Sequence, residues 1–169
     1  MSMSNRTLLT FSIFACTFQI PNANAELTDV EMKALLGQHN SWRAQYKMPP
    51  LIWDKTVAGV AQAWADQLAA AGRFEHRQDG QYGENMWGGT AGQFPIASVV
   101  DSWGNERDDY DMNTNTCAEG KMCGHFTQVI WWNTTNLGCA KAIGGNGNDV
   151  LVCNYDPAGN FNNQNPFGK

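Results

Sequence analysis

Leu137-Gly138-Cys139-Ala140-Lys141-Ala142-Ile143 and Val150-Leu151-Val152-Cys153-Asn154-Tyr155 flank the segment Gly144-Gly145-Asn146-Gly147-Asn148-Asp149. Short apolar runs on either side of a Gly/Asn cluster read as two strands joined by a turn-rich linker. Cys139 and Cys153 lie equally far from Asn146, so a simple hairpin sets them opposite each other and within bonding reach. Four cysteines outside the N-terminal segment allow three pairings, and only this hairpin argument favours one of them. Under it, Cys117 and Cys123 close a small loop just before His125 and hold the strand expected to enter there.

Immediately upstream of the hairpin the chain reads Gly124-His125-Phe126-Thr127-Gln128-Val129-Ile130-Trp131-Trp132-Asn133-Thr134-Thr135. A histidine and an amide stand here among core-forming residues, and Asn133-Thr134-Thr135 is a glycosylation sequon.

The N-terminal 25 residues differ in character from the rest. One basic residue, Arg6, precedes an apolar run over about residues 8–20, and Ala23-Asn24-Ala25 follows. This is the layout of a secretory signal peptide with a small-residue cleavage site, too short for a membrane span. Residues 26–169 are then one domain with room for a sizeable core. The whole chain carries 11 Lys+Arg against 16 Asp+Glu, a net charge of −5. Loss of Arg6 makes the remainder more acidic still, which disfavours nonspecific binding to nucleic acid or to anionic membranes. No second apolar run approaches spanning length, so no transmembrane anchor is expected. Cys16 leaves with the signal, and an even set of cysteines in an exported chain points to disulfides.

Thr28-Asp29-Val30-Glu31 is a capping-box pattern, and Met32, Leu35, Leu36 and Trp42 follow at helical spacing until Pro49-Pro50. A helix over about residues 29–46 results. His39, Asn40 and Arg43 lie on it and read as a polar flank that ties it to neighbouring backbone. Asp54 caps a second helix, with Val57, Val60, Ala61, Trp64, Ala65 and Leu68 as its core stripe and Gly72 as its stop. A third runs from about Pro95 to about Arg107, with Ile96, Val99, Val100 and Trp103 on its apolar face. Glu106 stands at the end of that buried face, where a carboxylate needs a partner. Arg107, Asp108, Asp109 and Asp111 form a solvated rim, and the tail after Asn160 is irregular.

Two of the histidines, His76 and His125, lie in boundary segments near glycines. Glu84 sits between Gly83 and Gly88-Gly89, in a stretch that either turns in a loop or approaches another segment closely. Two imidazoles and two carboxylates can bind a divalent metal such as zinc, or relay protons, if the fold brings them together. Spacing alone does not, and no HExxH helix motif is present.

The segment Gly124-His125-Phe126-Thr127-Gln128-Val129-Ile130-Trp131 resembles the first signature of the CAP superfamily, the cysteine-rich secretory, antigen five and pathogenesis-related proteins. Val150-Leu151-Val152-Cys153-Asn154-Tyr155-Asp156-Pro157-Ala158-Gly159-Asn160-Phe161 is similar to the second. Gly83-Glu84-Asn85 and His39-Asn40 with Arg43 resemble two shorter motifs, in the family's order. The resemblance implies an α+β fold, a three-layer α-β-α sandwich with a small antiparallel sheet. It also implies that His76, Glu84, Glu106 and His125 converge in one cleft. There His76 and His125 would be metal ligands, with Glu84 and Glu106 orienting the imidazoles or a metal-bound water. The chain departs from the plant pattern by lacking a cysteine beside His76 and another near Ala142, and its loop between His76 and Glu84 is longer.

The function this supports is a secreted, noncatalytic binding or defence- or virulence-type module, extracellular or periplasmic, acting on an extracellular partner. Family resemblance suggests a sterol or fatty acid as a hydrophobic ligand. The alternative is a metal-dependent hydrolase or peptidase with Glu84 or Glu106 as base. A third reading makes the four residues a buried structural network. Neither a Ser-His-Asp elbow nor a free thiol offers a nucleophile. The segment from Pro157 onward is similar to one that some plant members release as a peptide, whereas an arm packed on the sheet is the plainer expectation.

Overall fold

The computed structural model describes residues 26–168, so the signal peptide expected over residues 1–25 lies outside the described residues. In chain order the elements are α1 (Asp29–Gln45), β1 (Ile52–Trp53), α2 (Lys55–Ala71), β2 (Gly83–Thr90) and α3 (Ile96–Asn105). A 3-10 turn (Glu106–Asp109), β3 (Tyr110–Asp111), β4 (Thr116–Cys117), α4 (Gly124–Val129), β5 (Asn136–Ile143) and β6 (Asn148–Asp156) follow.

The hairpin forms as expected: β5 and β6 are antiparallel, and Cys139 is opposite Cys153 and bonded to it. β2 adds antiparallel to the other side of β6, and two residues of β1 lie parallel against β5, giving the order β1-β5-β6-β2. Successive strand residues point to opposite faces, and the two faces collect different helices. Leu137, Cys139, Leu151, Cys153 and Tyr155 pack with Leu35 and Trp42 of α1, Val100 and Trp103 of α3, and Phe126 and Val129 of α4. Ala140, Ala142, Val150 and Val152 pack instead on Ala61, Ala65 and Leu68 of α2. The result is the three-layer α-β-α sandwich. Small residues let α2 lie almost directly on the sheet: a Cβ on Gly138 would stand 2.1 Å from the Ala58 nitrogen.

The helix ends follow the sequence signals. Thr28 and Glu31 form the reciprocal capping box on α1, and Lys141 on β5 pairs with the same Glu31 at 2.5 Å, fixing the start of α1 to the sheet. Asp54 accepts from the Thr56 and Val57 amides, and α2 stops at Gly72 with φ of 62°. Of the seven tryptophans, Trp42, Trp103 and Trp131 are buried and Trp132 is 44% exposed.

Three expectations need correction. Residues 83–90, left open as a loop, form the edge strand β2, and the close approach foreseen there is real, since a Cβ on Gly83 would collide with the Gln128 side chain. The chain enters the site after Cys123 as the short helix α4 rather than as a strand, with Phe126, Gln128 and Val129 buried and the Glu106 carboxylate accepting from the amides of its first turn. His39 and Arg43 are fully enclosed rather than on a flank.

The tail is irregular but fixed. Asn160 donates to the Gly124 carbonyl and accepts from Thr127 Oγ1, Gly159 N–H donates to Gln128 Oε1, and the Trp132 amide donates to the Pro166 carbonyl. It packs along α4, not flat on the sheet. The sequon residue Asn133 is half-buried, with its Oδ1 enclosed.

Candidate functional site

The site is two imidazole–carboxylate pairs, each delivered by different elements. His125 lies in the first turn of α4, and Glu106 is the residue that ends α3. Between them the chain makes the β3–β4 ribbon, and the Cys117–Cys123 disulfide ties the end of that ribbon to the residue before α4. This covalent loop brings the chain back to Glu106 after 19 residues.

His125 Nδ1 stands 2.5 Å from Glu106 Oε1, and Glu106 Oε2 accepts from the backbone amides of His125 at 3.0 Å and Phe126 at 3.2 Å. Cys123 supplies no side-chain cap to α4. Glu106 therefore satisfies amides that a helix start leaves unpaired, and places a negative charge where the helix dipole favours one. The same carboxylate thus caps a helix and orients an imidazole. Trp103, one helical turn before it, stacks on the His125 ring with centroids 5.9 Å apart and planes 16° from parallel.

The second pair is more open. His76 Nδ1 is 2.6 Å from Glu84 Oε1, and the Arg77 amide donates to the same oxygen at 3.2 Å. His76 is 58% exposed while Glu84 is only 9% exposed. The hydrogen bond to Glu84 raises the His76 pKa above its ordinary value, burial opposing and the carboxylate charge assisting.

His76, Glu84, Asn85, Met122, Gly124, His125 and Asn160 line one cleft of about 280 Å³. Glu106 stands behind His125 and is not among the lining residues. Both imidazoles use Nδ1 on a carboxylate, which leaves Nε2 as the free ring nitrogen. Among the described residues no group of three or more His, Cys, Asp or Glu side chains is arranged to hold a metal ion. The donor set on offer is therefore two imidazole nitrogens with carboxylates behind them.

Sequence reasoning missed three contributors. Trp103 was read as core only. Asn85 donates to the His125 carbonyl and to the Tyr155 hydroxyl, both at 3.1 Å, which links β2 to α4 and β6. Asn160 comes from the tail. Only Asn85 carried a signal, its place beside Glu84 between glycines.

A three-layer sandwich with two histidines, each backed by a glutamate, at the end of its sheet defines a CAP domain. The family model described as Cysteine-rich secretory protein family matches residues 36–155, and the chain belongs to that family. It is 40% identical over 161 residues to Pathogenesis-related protein 1A of Nicotiana tabacum, covering 95% of this chain and 90% of that protein. Pathogenesis-related protein 1 of Arabidopsis thaliana is 42% identical over 129 residues, 76% of this chain and 78% of its own length. Among solved structures, that of BmVAL-1 aligns with a TM-score of 0.68 at 24% identity, covering 83% of this chain and 82% of that one. NaASP2 with Zn2+ aligns with a TM-score of 0.67 at 21% identity, covering 88% and 89%. Among the described residues no helix is long and apolar enough to cross a membrane.

Proposed function

We propose that this chain is a secreted, noncatalytic binding module of the pathogenesis-related type, and that its cleft takes a divalent metal such as zinc on the Nε2 atoms of His76 and His125. The observation that carries this is the matched Nδ1–carboxylate bond on each histidine, the arrangement by which proteins hold a metal-binding imidazole in one tautomer and direction. The metal would supply Lewis acidity and a bridging charge. Two protein nitrogens leave its remaining positions to solvent or to a partner's side chains, which suits reversible capture better than a closed structural site.

The hydrolase alternative is less favoured because three of the four carboxylate oxygens are taken by histidines and amides, and the fourth, Glu84 Oε2, is buried. Glu106 accepts three hydrogen bonds and Glu84 Oε1 accepts two. A general base must reach the water it deprotonates, and these oxygens face histidines and amides. Calorimetric titration of zinc is expected to give saturable binding to the wild type and none to His76→Ala/His125→Ala. A double variant binding as the wild type does would overturn the assignment.

For the apolar ligand, sterol or fatty acid, we assign a second cavity at the other end of β2. It has a volume of about 300 Å³ and is lined by Leu68, Ala69, Phe74, Gly88 and Val150 among others. Its size and mixed lining fit a small ligand or one end of a larger one. Phe74→Ser, which removes the 57% exposed ring of that wall, is expected to weaken lipid binding while leaving zinc binding unchanged. Absence of saturable lipid binding to the wild type would remove this part of the proposal.

A further inference from the structure

Two polar side chains on neighbouring strands carry three buried atoms without a hydrogen-bond partner: Glu84 Oε2 and both Oδ1 and Nδ2 of Asn154. They are neighbours by construction of the sheet. Asn154 on β6 is in register with Glu84 on β2 and with Gly138 on β5, and directly opposed residues project to the same face. That face is the one covered by α2, because Val150 and Val152 precede Asn154 at the strand period and pack on α2. Gly138 adds no side chain, and the start of α2 closes over it at Ala58. Asn154 is 0% exposed.

Buried polar atoms are rarely left unpaired, and three together demand a polar guest. Nδ2 needs an acceptor, whereas Oδ1 and Oε2 need donors. A cation would serve the two oxygens and leave Nδ2 facing positive charge. A bridge of water meets all three needs, accepting from Nδ2 and donating to the oxygens, in a setting where buried waters characteristically make about three hydrogen bonds.

We propose that Asn154 is a positioning residue for the cleft, holding Glu84 Oε2 through this buried water bridge. Glu84 is then gripped on both oxygens, by His76 and the Arg77 amide on one and by the bridge on the other. Its carboxylate cannot swing away from His76, so the imidazole keeps Nδ1–H on Glu84 and Nε2 bare toward the cleft. The inference rests on reading the cleft as an imidazole-based binding site, but its test does not depend on metal binding.

The probe is the metal-free protein at a pH above the His76 titration, set from the ring's own chemical shifts, with ring nitrogens read by long-range proton–nitrogen NMR. Wild type is expected to show a single Nδ1–H tautomer at His76 and a long-lived water cross-peak to the Asn154 amide protons. Asn154→Leu, which keeps the volume and removes the polar atoms, is expected to mix the two His76 tautomers while His125 stays unchanged. Asn154→Ser, which keeps a donor and an acceptor and makes room for water, is expected to restore most of the wild-type signal. Where zinc binds, Asn154→Leu should weaken it about tenfold. A folded Asn154→Leu with wild-type His76 nitrogens overturns the proposal. Should that variant fail to fold, lack of the water cross-peak in the wild type overturns it equally. A wild type that binds no zinc but shows both NMR signatures would sink the metal reading and leave Asn154's role standing.

Discussion

Arg43→Met is expected to destabilise the protein by about 4 kcal/mol and to lower its Tm by roughly 12 °C. Arg43 is fully buried. Its Nε donates to the Pro49 carbonyl at 2.7 Å, Nη1 to Val129 and Trp131 at 3.0 and 2.9 Å, and Nη2 to Thr134 at 3.0 Å. All four acceptors are main-chain carbonyls. Three of them belong to the end of α4 and the turn after it, where a helix leaves carbonyls unpaired and presents negative charge. Arg43 is therefore the C-terminal cap of α4, as Glu106 is its N-terminal one.

Burial pushes the Arg43 pKa down to about 10, which records the desolvation its carbonyls must offset. Methionine fills a similar volume but withdraws from four carbonyls, of which Trp131 keeps the Thr134 amide while Pro49, Val129 and Thr134 lose the guanidinium, each such loss costing about 1–3 kcal/mol less whatever relaxation recovers. Lysine returns the charge without the planar fork, so Arg43→Lys should recover less than half of the loss. Urea denaturation of the three proteins measures this. An Arg43→Met variant within about 1 kcal/mol of wild type would show that the carbonyls find other partners. Because α4 carries His125, the same variant should also loosen the cleft's more enclosed pair.

Arg43 also shows how far the sequence could be read. A helical Arg one turn from a His already suggested a tie to nearby backbone, and Pro49 is such a partner, but nothing in 29–46 points to the other three acceptors, which lie 86 to 91 residues away. The β5–β6 hairpin was legible because its register follows from a local turn and two cysteines at equal distance from it. Glu106 was legible as a carboxylate in need of a partner, and the partner is His125. The strand β2 was not, since Gly-Glu-Asn-Met-Trp-Gly-Gly-Thr has a single β-branched residue, the terminal Thr90, and no clean alternation, and it becomes a strand by pairing with β6 over its whole length. Helix α4 has too few residues for a period to show. That His76, Glu84, Glu106 and His125 gather at all came from the family resemblance, because their meeting depends on four separate elements that no spacing connects.

Acid is expected to cost the protein about 3 kcal/mol of stability between pH 7 and pH 4 through His39 alone. His39 is fully enclosed, with Nδ1 2.7 Å from the Leu35 carbonyl and Nε2 2.8 Å from the Tyr155 hydroxyl. A carbonyl can only accept, so Nδ1 carries the proton and Nε2 accepts from Tyr155. The phenol keeps its proton because burial raises its pKa well above the usual value. Burial holds His39 neutral, with its pKa lowered to about 4; the Leu35 carbonyl resists that shift and the Arg43 charge adds to it.

The unfolded chain titrates this histidine near its ordinary value of about 6.5. Below that pH the unfolded state binds the extra proton and the folded state does not, so stability falls as pH falls, by up to about 1.4 kcal/mol per unit, until the folded pKa is reached. Above about pH 7 His39 contributes no slope. His76 acts with the opposite sign. Its pKa is raised by Glu84, so its contribution is complete below about 6.5 and is lost as pH rises through the folded value. Its exposure to solvent makes that contribution the smaller one. Their windows adjoin, and these two residues together place a stability maximum near pH 6.5. The His39 share is isolated by comparing wild type with His39→Gln, which cannot titrate, in denaturant unfolding across pH 4–8. The wild-type curve should fall about 3 kcal/mol further toward acid than the variant's. Parallel curves would mean that His39 takes up its proton in the folded state, and that the buried chain from Leu35 through His39 and Tyr155 to Asn85 opens to let it do so.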